Sequence, residues 1–203
     1  LVAPTARCIS VGKRSGRHSR PQGAINALMI EAAQAGHLVV RLKGGDPSLF
    51  GRSLEELDAL RLAGVPVQVV PGITAASAAV AGAGVALTAR GRSRRVQFAT
   101  AHLQDTPARP ADAPALDWAR LADPGATTAF YMGKAAARVL SRQLIAAGLA
   151  ADTPCLLVEN ASCADERVAW TTLAALPAIA RSVLGAGPAV ILVGEAMRRP
   201  MPG

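Results

Sequence analysis

Aromatic side chains make up only 3% of this 203-residue sequence. A chain so poor in them lacks the stacking platforms with which single-stranded nucleic acids are usually gripped. Cysteine is scarce as well. Cys8, Cys155 and Cys163 are odd in number and far apart, without the paired spacing of a zinc site or a redox motif, and they read as reduced thiols. Long hydrophobic runs are missing. The nearest approach, Ala75 to Ala89, is rich in Ala and Gly and carries Ser77 and Thr88, too short and too weakly apolar for a membrane span. Pro4, Arg7, Lys13 and Arg14 interrupt the first residues where a secretory leader needs an unbroken apolar stretch. These absences lead us to expect a cytoplasmic protein with no membrane partner and no metal site.

Acidic residues are outnumbered, with 14 Asp and Glu against 22 Lys and Arg, a net charge of +8 and a pI near 10.6. Most of the basic residues are Arg, whose planar fork suits carboxylate and phosphate. Nucleic acid and a small polycarboxylate both fit this charge, and the scarcity of aromatics favours the small polyanion, with no nucleic acid as partner. Hydrophobic residues at 51% and charged ones at 18% are enough to build a core.

Short β-branched runs alternate with Ala- and Leu-rich amphipathic stretches, the pattern of an α/β protein. The first half predicts strands at Cys8–Gly12, Leu38–Lys43 and Val67–Val70. It predicts helices at Pro21–Gly36, Leu54–Ala63 and Thr74–Ala83. Pro21 suits a first helical turn, Gly36 and Gly64 suit helix stops, and Pro71-Gly72 a sharp turn. Periodicity fades from Gly82 to Gly91, where the basic cluster Arg90, Arg92, Arg94, Arg95 begins, so a domain boundary is expected at 88/89. The second half predicts strands at Val96–Thr100, Thr127–Tyr131, Cys155–Glu159, Arg167–Thr172 and Val190–Val193. Its helices are expected about Trp118, from Lys134 to Ala147 and from Leu173 to Val183, with an irregular loop between His102 and Asp117. Two successive strands without a helix, around Cys155 and Arg167, imply a mixed sheet. Asp117 and Trp118 read as a helix cap and a packing anchor.

The stretch from Val39 to Arg52 is the most informative. A strand runs into Gly44-Gly45 and then an Asp46-Pro47 turn, which sets bare backbone and a carboxylate at a strand's C-terminal end, where open α/β sheets bind ligands. Neither a dinucleotide nor a P-loop glycine spacing occurs, and an ordinary strand-to-helix turn is the plainer alternative.

Taken together, Val11-Gly12-Lys13-Arg14, His18-Ser19-Arg20-Pro21-Gln22, Arg41-Leu42-Lys43-Gly44-Gly45-Asp46-Pro47, Phe50-Gly51-Arg52 and Val70-Pro71-Gly72-Ile73-Thr74-Ala75 resemble the uroporphyrinogen-III C-methyltransferases of the tetrapyrrole methylase family. Tyr131-Met132-Gly133, Asp152-Thr153-Pro154, Val158-Glu159-Asn160 and Val193-Gly194-Glu195 extend the resemblance over essentially the whole chain. It implies a two-domain α/β fold, mostly parallel sheet in the first half and mixed sheet in the second. S-adenosylmethionine would be held in the cleft between the domains of a homodimer, leaving S-adenosylhomocysteine as product. The implied reaction methylates carbons 2 and 7 of uroporphyrinogen III to give precorrin-2, on the way to sirohaem and cobalamin.

Residue by residue, the resemblance assigns Gly44, Gly45, Asp46, Leu49, Thr74, Ala75, Met132 and Ala161 to the cofactor, Ala161 standing where the family commonly has Gly. Lys13 matches its proton donor. Arg14, Arg17, His18, Arg20 and Arg52 would take the carboxylate arms of the substrate. His102 ends a family-like Thr100-Ala101-His102 run and is read as structural.

The family's opening strand, Gly-Pro-Gly loop and acidic proton acceptor have no counterpart in this sequence. It is therefore read as an incomplete N-terminal domain, 1–88, and a C-terminal domain, 89–203, with weak turnover expected from these residues by themselves. Ser53-Leu54, Ala89 and Gly91 are further departures from the family pattern. The rival readings are another tetrapyrrole methylase of cobalamin synthesis, a diphthine or ribosomal-RNA methylase, an inactive fragment or partner subunit of the same fold, and a basic module binding nucleic acid through Arg17–Arg20 and Arg90–Arg95.

Overall fold

The structure is a computed structural model that describes residues 3–12, 20–101 and 116–199. Contacts divide the chain into two units, 1–72 and 73–203.

In the first unit, α1 (Gln22–Gln34) and α2 (Ser53–Leu62) pack through Ile25, Met29 and Leu60. Both helices begin and end where local chemistry dictates. Pro21 takes the N-cap of α1, and Glu55 and Glu56 sit in the first turn of α2, where carboxylates complement the helix dipole. Each helix ends in a left-handed glycine, Gly36 and Gly64. The following N–H reaches back to the last turn, His37 to Ala32 O at 3.1 Å and Val65 to Leu60 O at 2.9 Å.

The fold class is α/β, but the sheet expected in the first half differs. Cys8–Gly12, Leu38–Lys43 and Val67–Val70 form no ladder among the described residues. A strand is stabilised by hydrogen bonds to a neighbour, and no described segment pairs with these runs. Leu38, Val40 and Leu42 are accordingly 94%, 76% and 70% exposed.

The second unit carries a five-stranded mixed sheet in the order β1-β2-β5-β3-β4. Its strands are β1 (Arg95–Thr100), β2 (Ala126–Tyr131), β3 (Pro154–Glu159), β4 (Arg167–Thr172) and β5 (Ala189–Val193). Among the described residues β1 and β2 are the parallel pair, and β3–β4 is the antiparallel pair that the missing helix implied. Alternate residues feed two cores. Phe130, Leu157 and Ile191 face Leu140 and Leu144 of α5 (Ala137–Ala146) and Leu176 and Ala180 of α6 (Leu176–Val183). Ala129, Leu156 and Leu192 face Ala76, Ala79 and Val80 of α3 (Ala75–Gly82), with Ala196 and Met197 of a 3-10 turn. Both faces are covered, so β3 is buried along its whole length. Asp117 caps the short helix α4 (Trp118–Leu121) by accepting from the Arg120 N–H at 3.2 Å, and Trp118 packs against the first core.

The helix α3, last of the first half by chain order, thus packs on the sheet of the second. Its small residues allow close approach, and the contact grouping consequently falls at Gly72/Ile73, ahead of the boundary at 88/89 that periodicity suggested. Among the described residues no helix is long and apolar enough to cross a membrane.

Candidate functional site

In the first unit, three donors converge on Glu56, which is buried in the first turn of α2. Lys43 Nζ donates at 2.6 Å, Gln22 Nε2 at 3.1 Å and Arg41 Nε at 3.2 Å. Burial works against ionisation of this carboxyl. The hydrogen bonds from Lys43 and Gln22 and the charges of Arg41 and Lys43 outweigh it, holding Glu56 below the usual glutamate range. Gln22, Arg41 and Lys43, all members of the motifs that carried the resemblance, therefore brace the turn that follows them.

That turn presents Gly44 and Gly45, both exposed, with Gly45 left-handed at φ 80°. Asp46 accepts from the Ser48 N–H at 2.7 Å, from the Ser48 hydroxyl, and from the Gly72 N–H at 3.4 Å. Those bonds, the Ser48 hydroxyl first, hold its carboxyl below the usual aspartate range. Gly72 lies so close that a Cβ there would collide with the Gly45 carbonyl oxygen, which accounts for the Pro71-Gly72 pair. Leu49 is half-buried, its N–H donating to Asp46 O at 3.3 Å. Phe50 and Arg52 are left-handed, an uncommon state for residues with a Cβ. Arg52, expected to meet substrate, has its fork on Glu55 at 2.7 and 2.6 Å, so an anionic ligand must compete with that carboxylate. Arg20 is exposed just ahead of α1. Lys13, Arg14, Arg17, His18 and His102 lie outside the described residues.

In the second unit the register fixes which ends meet. Thr100 pairs with Tyr131, Tyr131 with Val190, and Val190 with Val158. The C-terminal ends of β1, β2 and β3 therefore share one edge of the sheet. Met132 follows β2 there, left-handed at φ 57° and 51% exposed, and Ala161 follows β3 between the left-handed Asn160 and Ser162. Three non-glycine residues in that conformation along one sheet edge mark a place where backbone shape is tightly determined. The start of α3 joins the same edge, because the Tyr131 hydroxyl accepts from the Ala76 N–H at 3.1 Å and bonds the Thr74 hydroxyl. Thr74, Ala75, Met132 and Ala161 are thereby gathered.

Glu159 supports this edge from within. It is buried, and burial opposes its charge. N–H groups of Gly185 at 2.7 Å and Gly187 at 2.8 Å, with Lys134 and Arg167 nearby, hold it below the usual range. A hollow of about 190 Å³ lies at the opposite edge, between Leu121, Ala126, Thr153 and Gly194, and gathers none of the candidate residues.

The sequence reading passed over Tyr131, Asn160 and Glu159 as individual residues. Tyr131 carried a signal, being the single tyrosine of the chain, and asparagine is among the residues that tolerate a left-handed backbone.

Known proteins resemble this chain along most of its length. The family model for Tetrapyrrole (Corrin/Porphyrin) Methylases matches residues 3–177. A siroheme synthase of Sodalis glossinidius is 46% identical over 96% of this chain, and one of Gluconacetobacter diazotrophicus 47% over 97%. The chain spans about two fifths of the length of these curated relatives, 40% and 41%. Among solved structures, a uroporphyrin-III C-methyltransferase from Thermus thermophilus superposes with a TM-score of 0.72 at 33% identity, covering 87% of this chain and 71% of that one. A second structure of the Thermus enzyme, complexed with S-adenyl homocysteine, gives 0.71 at 32%, covering 87% and 74%. A cobalt precorrin-4 methyltransferase gives 0.74 at 27%, covering 90% and 73%. A family match across most of the chain, joined to this sheet and its strained edge, makes the chain a member of the tetrapyrrole methylase family.

Proposed function

We propose that the chain serves the S-adenosylmethionine-dependent methylation of uroporphyrinogen III at carbons 2 and 7, giving precorrin-2. The observation that carries this reading is the gathering of Thr74, Ala75, Met132 and Ala161 on one strained edge of the second unit's sheet. Siroheme synthases at 46% and 47% identity support the substrate.

The residues suit an adenosyl group. Gly44 and Gly45 offer backbone that no side chain shields, Thr74 offers a hydroxyl, and Met132 offers an exposed, polarisable side chain. When bound, the cofactor supplies a methyl group already activated by a sulfonium. What remains for the chain is to bind, orient and manage a proton. In this reading Gly44, Gly45, Asp46, Leu49, Thr74, Ala75, Met132 and Ala161 are the residues that bind the cofactor. Lys13 handles the proton. Arg14, Arg17, His18, Arg20 and Arg52 bind acetate and propionate arms, Arg52 by leaving Glu55 for a substrate carboxylate. The working form is a homodimer in the cytoplasm, organised as domains 1–88 and 89–203, with α3 continuous with the first domain and packed with the second.

Two measurements test this. Calorimetric titration of the chain with S-adenosylhomocysteine is expected to show saturable binding; its absence sinks the cofactor reading. Transfer of labelled methyl groups is then followed with the full product of the gene that carries the chain, offering uroporphyrinogen III, cobalt precorrin-4 and RNA in parallel. Double labelling of uroporphyrinogen III alone is the expected result, and preference for cobalt precorrin-4 moves the assignment to a later methylation.

A further inference from the structure

The geometry points to Tyr131 as a positioning residue that takes over the capping of α3 and so reserves the Thr74 hydroxyl for an acceptor oxygen of the cofactor. The inference rests on the cofactor reading above. At a helix N-cap, threonine ordinarily turns its own hydroxyl back onto the N–H two or three residues on. Thr74 occupies the N-cap of α3 with extended backbone angles and makes no such bond. The Ala76 N–H donates instead to the phenol oxygen of Tyr131, at 3.1 Å and across 55 residues of sequence. The Thr74 hydroxyl bonds the same phenol oxygen.

One residue thus does two things. It satisfies an N–H that the helix start leaves without an intrahelical partner, and it holds the Thr74 side chain in one orientation. The phenol oxygen accepts from Ala76 and can give its own proton to Thr74, so the threonine hydroxyl accepts from Tyr131 and keeps its single proton to donate to a ligand oxygen. Had Thr74 capped its own helix, the hydroxyl would be turned inward.

The Tyr131 ring is itself well held. It packs against the core that contains Ala76, Ala79 and Val190, and meets Phe98 edge-on at a centroid distance of 6.2 Å. It also immediately precedes Met132, whose left-handed backbone departs from the strand that Tyr131 ends. Two of the candidate cofactor contacts are therefore oriented by this residue, one through a hydrogen bond and one through the chain.

Tyr131→Phe removes only the hydroxyl and keeps the packed ring. We expect exchange of the Ala76 amide to speed up about fivefold without ligand, and affinity for S-adenosylhomocysteine to fall by about fivefold to tenfold. Thr74→Val should weaken binding similarly. Adding Tyr131→Phe to Thr74→Val should cost nothing more, because both act through one hydroxyl. Faster Ala76 exchange with unchanged affinity, or losses that multiply in the double variant, would overturn the positioning role while leaving the cofactor reading intact. Failure of the unaltered chain to bind S-adenosylhomocysteine sinks both.

Discussion

The valines of Leu38–Lys43 and those of β5 are the same kind of residue in opposite circumstances. Val190 and Val193 lie between β2 and β3, paired on both sides and covered on both faces. Val40 and its neighbours Leu38 and Leu42 are mostly exposed, with no ladder among the described residues. Both runs are rich in Val and Leu, although the first also carries Arg41 and Lys43, and what separates their aliphatic residues is a partner. β-branched side chains suit a pleated surface, but the hydrogen bonds and most of the burial come from whatever lies alongside.

This contrast can be broken most directly in the cores. Leu157→Ala, in the middle of a sheet buried on both faces, should cost about 3 kcal/mol of stability in urea denaturation. Leu42→Ala should change it by less than about 0.5 kcal/mol. Comparable losses would mean that the first-unit run is packed as the second-unit strands are.

Glu56 sharpens the comparison, since a charged cluster braces the glycine turn on the side where the extended runs give little support. Glu56→Gln should cost about 2 kcal/mol, less than for a fully buried pair because Arg41 and Lys43 are partly exposed. Its native pKa is lowered. The stabilisation is therefore present above the ordinary glutamate value of about 4.3 and is lost as pH falls through the lower native value. Denaturation of both forms across that acidic range should show the difference between them narrowing as pH drops.

A more modest effect than that at Glu56 should be shared by the two units. Gly64 and Gly148 end α2 and α5 with left-handed backbones at φ 70° and 111°, and a Cβ at either would meet nothing within 4 Å. Substituting alanine at each should cost about 1 kcal/mol from backbone conformation alone. Markedly unequal losses in thermal melts would show that these stops depend on tertiary surroundings.

The stop at Gly64, like that at Gly36, was legible because its cause is local. The helices of the described residues fall where periodicity and caps place them, although α5 starts at Ala137 and α6 at Leu176, three residues after the expected Lys134 and Leu173. The second-unit strands were equally legible, their short apolar runs being answered by cores on both faces. The glycine turn could also be read, since Gly44, Gly45 and Asp46 interact with near neighbours and with one further turn at Gly72. The clamp on Glu56 was hidden. Its donors come from α1 and from the run before the turn, and a glutamate in a helix's first turn looks like an ordinary dipole partner.

Sequence alone determined the family, the βα order of the second unit, the helix ends and the residue types on offer to a cofactor, because these follow from motif, period and turn chemistry along the chain. Tertiary structure alone decided that β5 inserts between β2 and β3, that Thr74 meets Tyr131 across 57 residues, and that Glu56 collects Lys43, Arg41 and Gln22. Such pairings are between groups that no local pattern links, and they exist only once the backbone has brought them together.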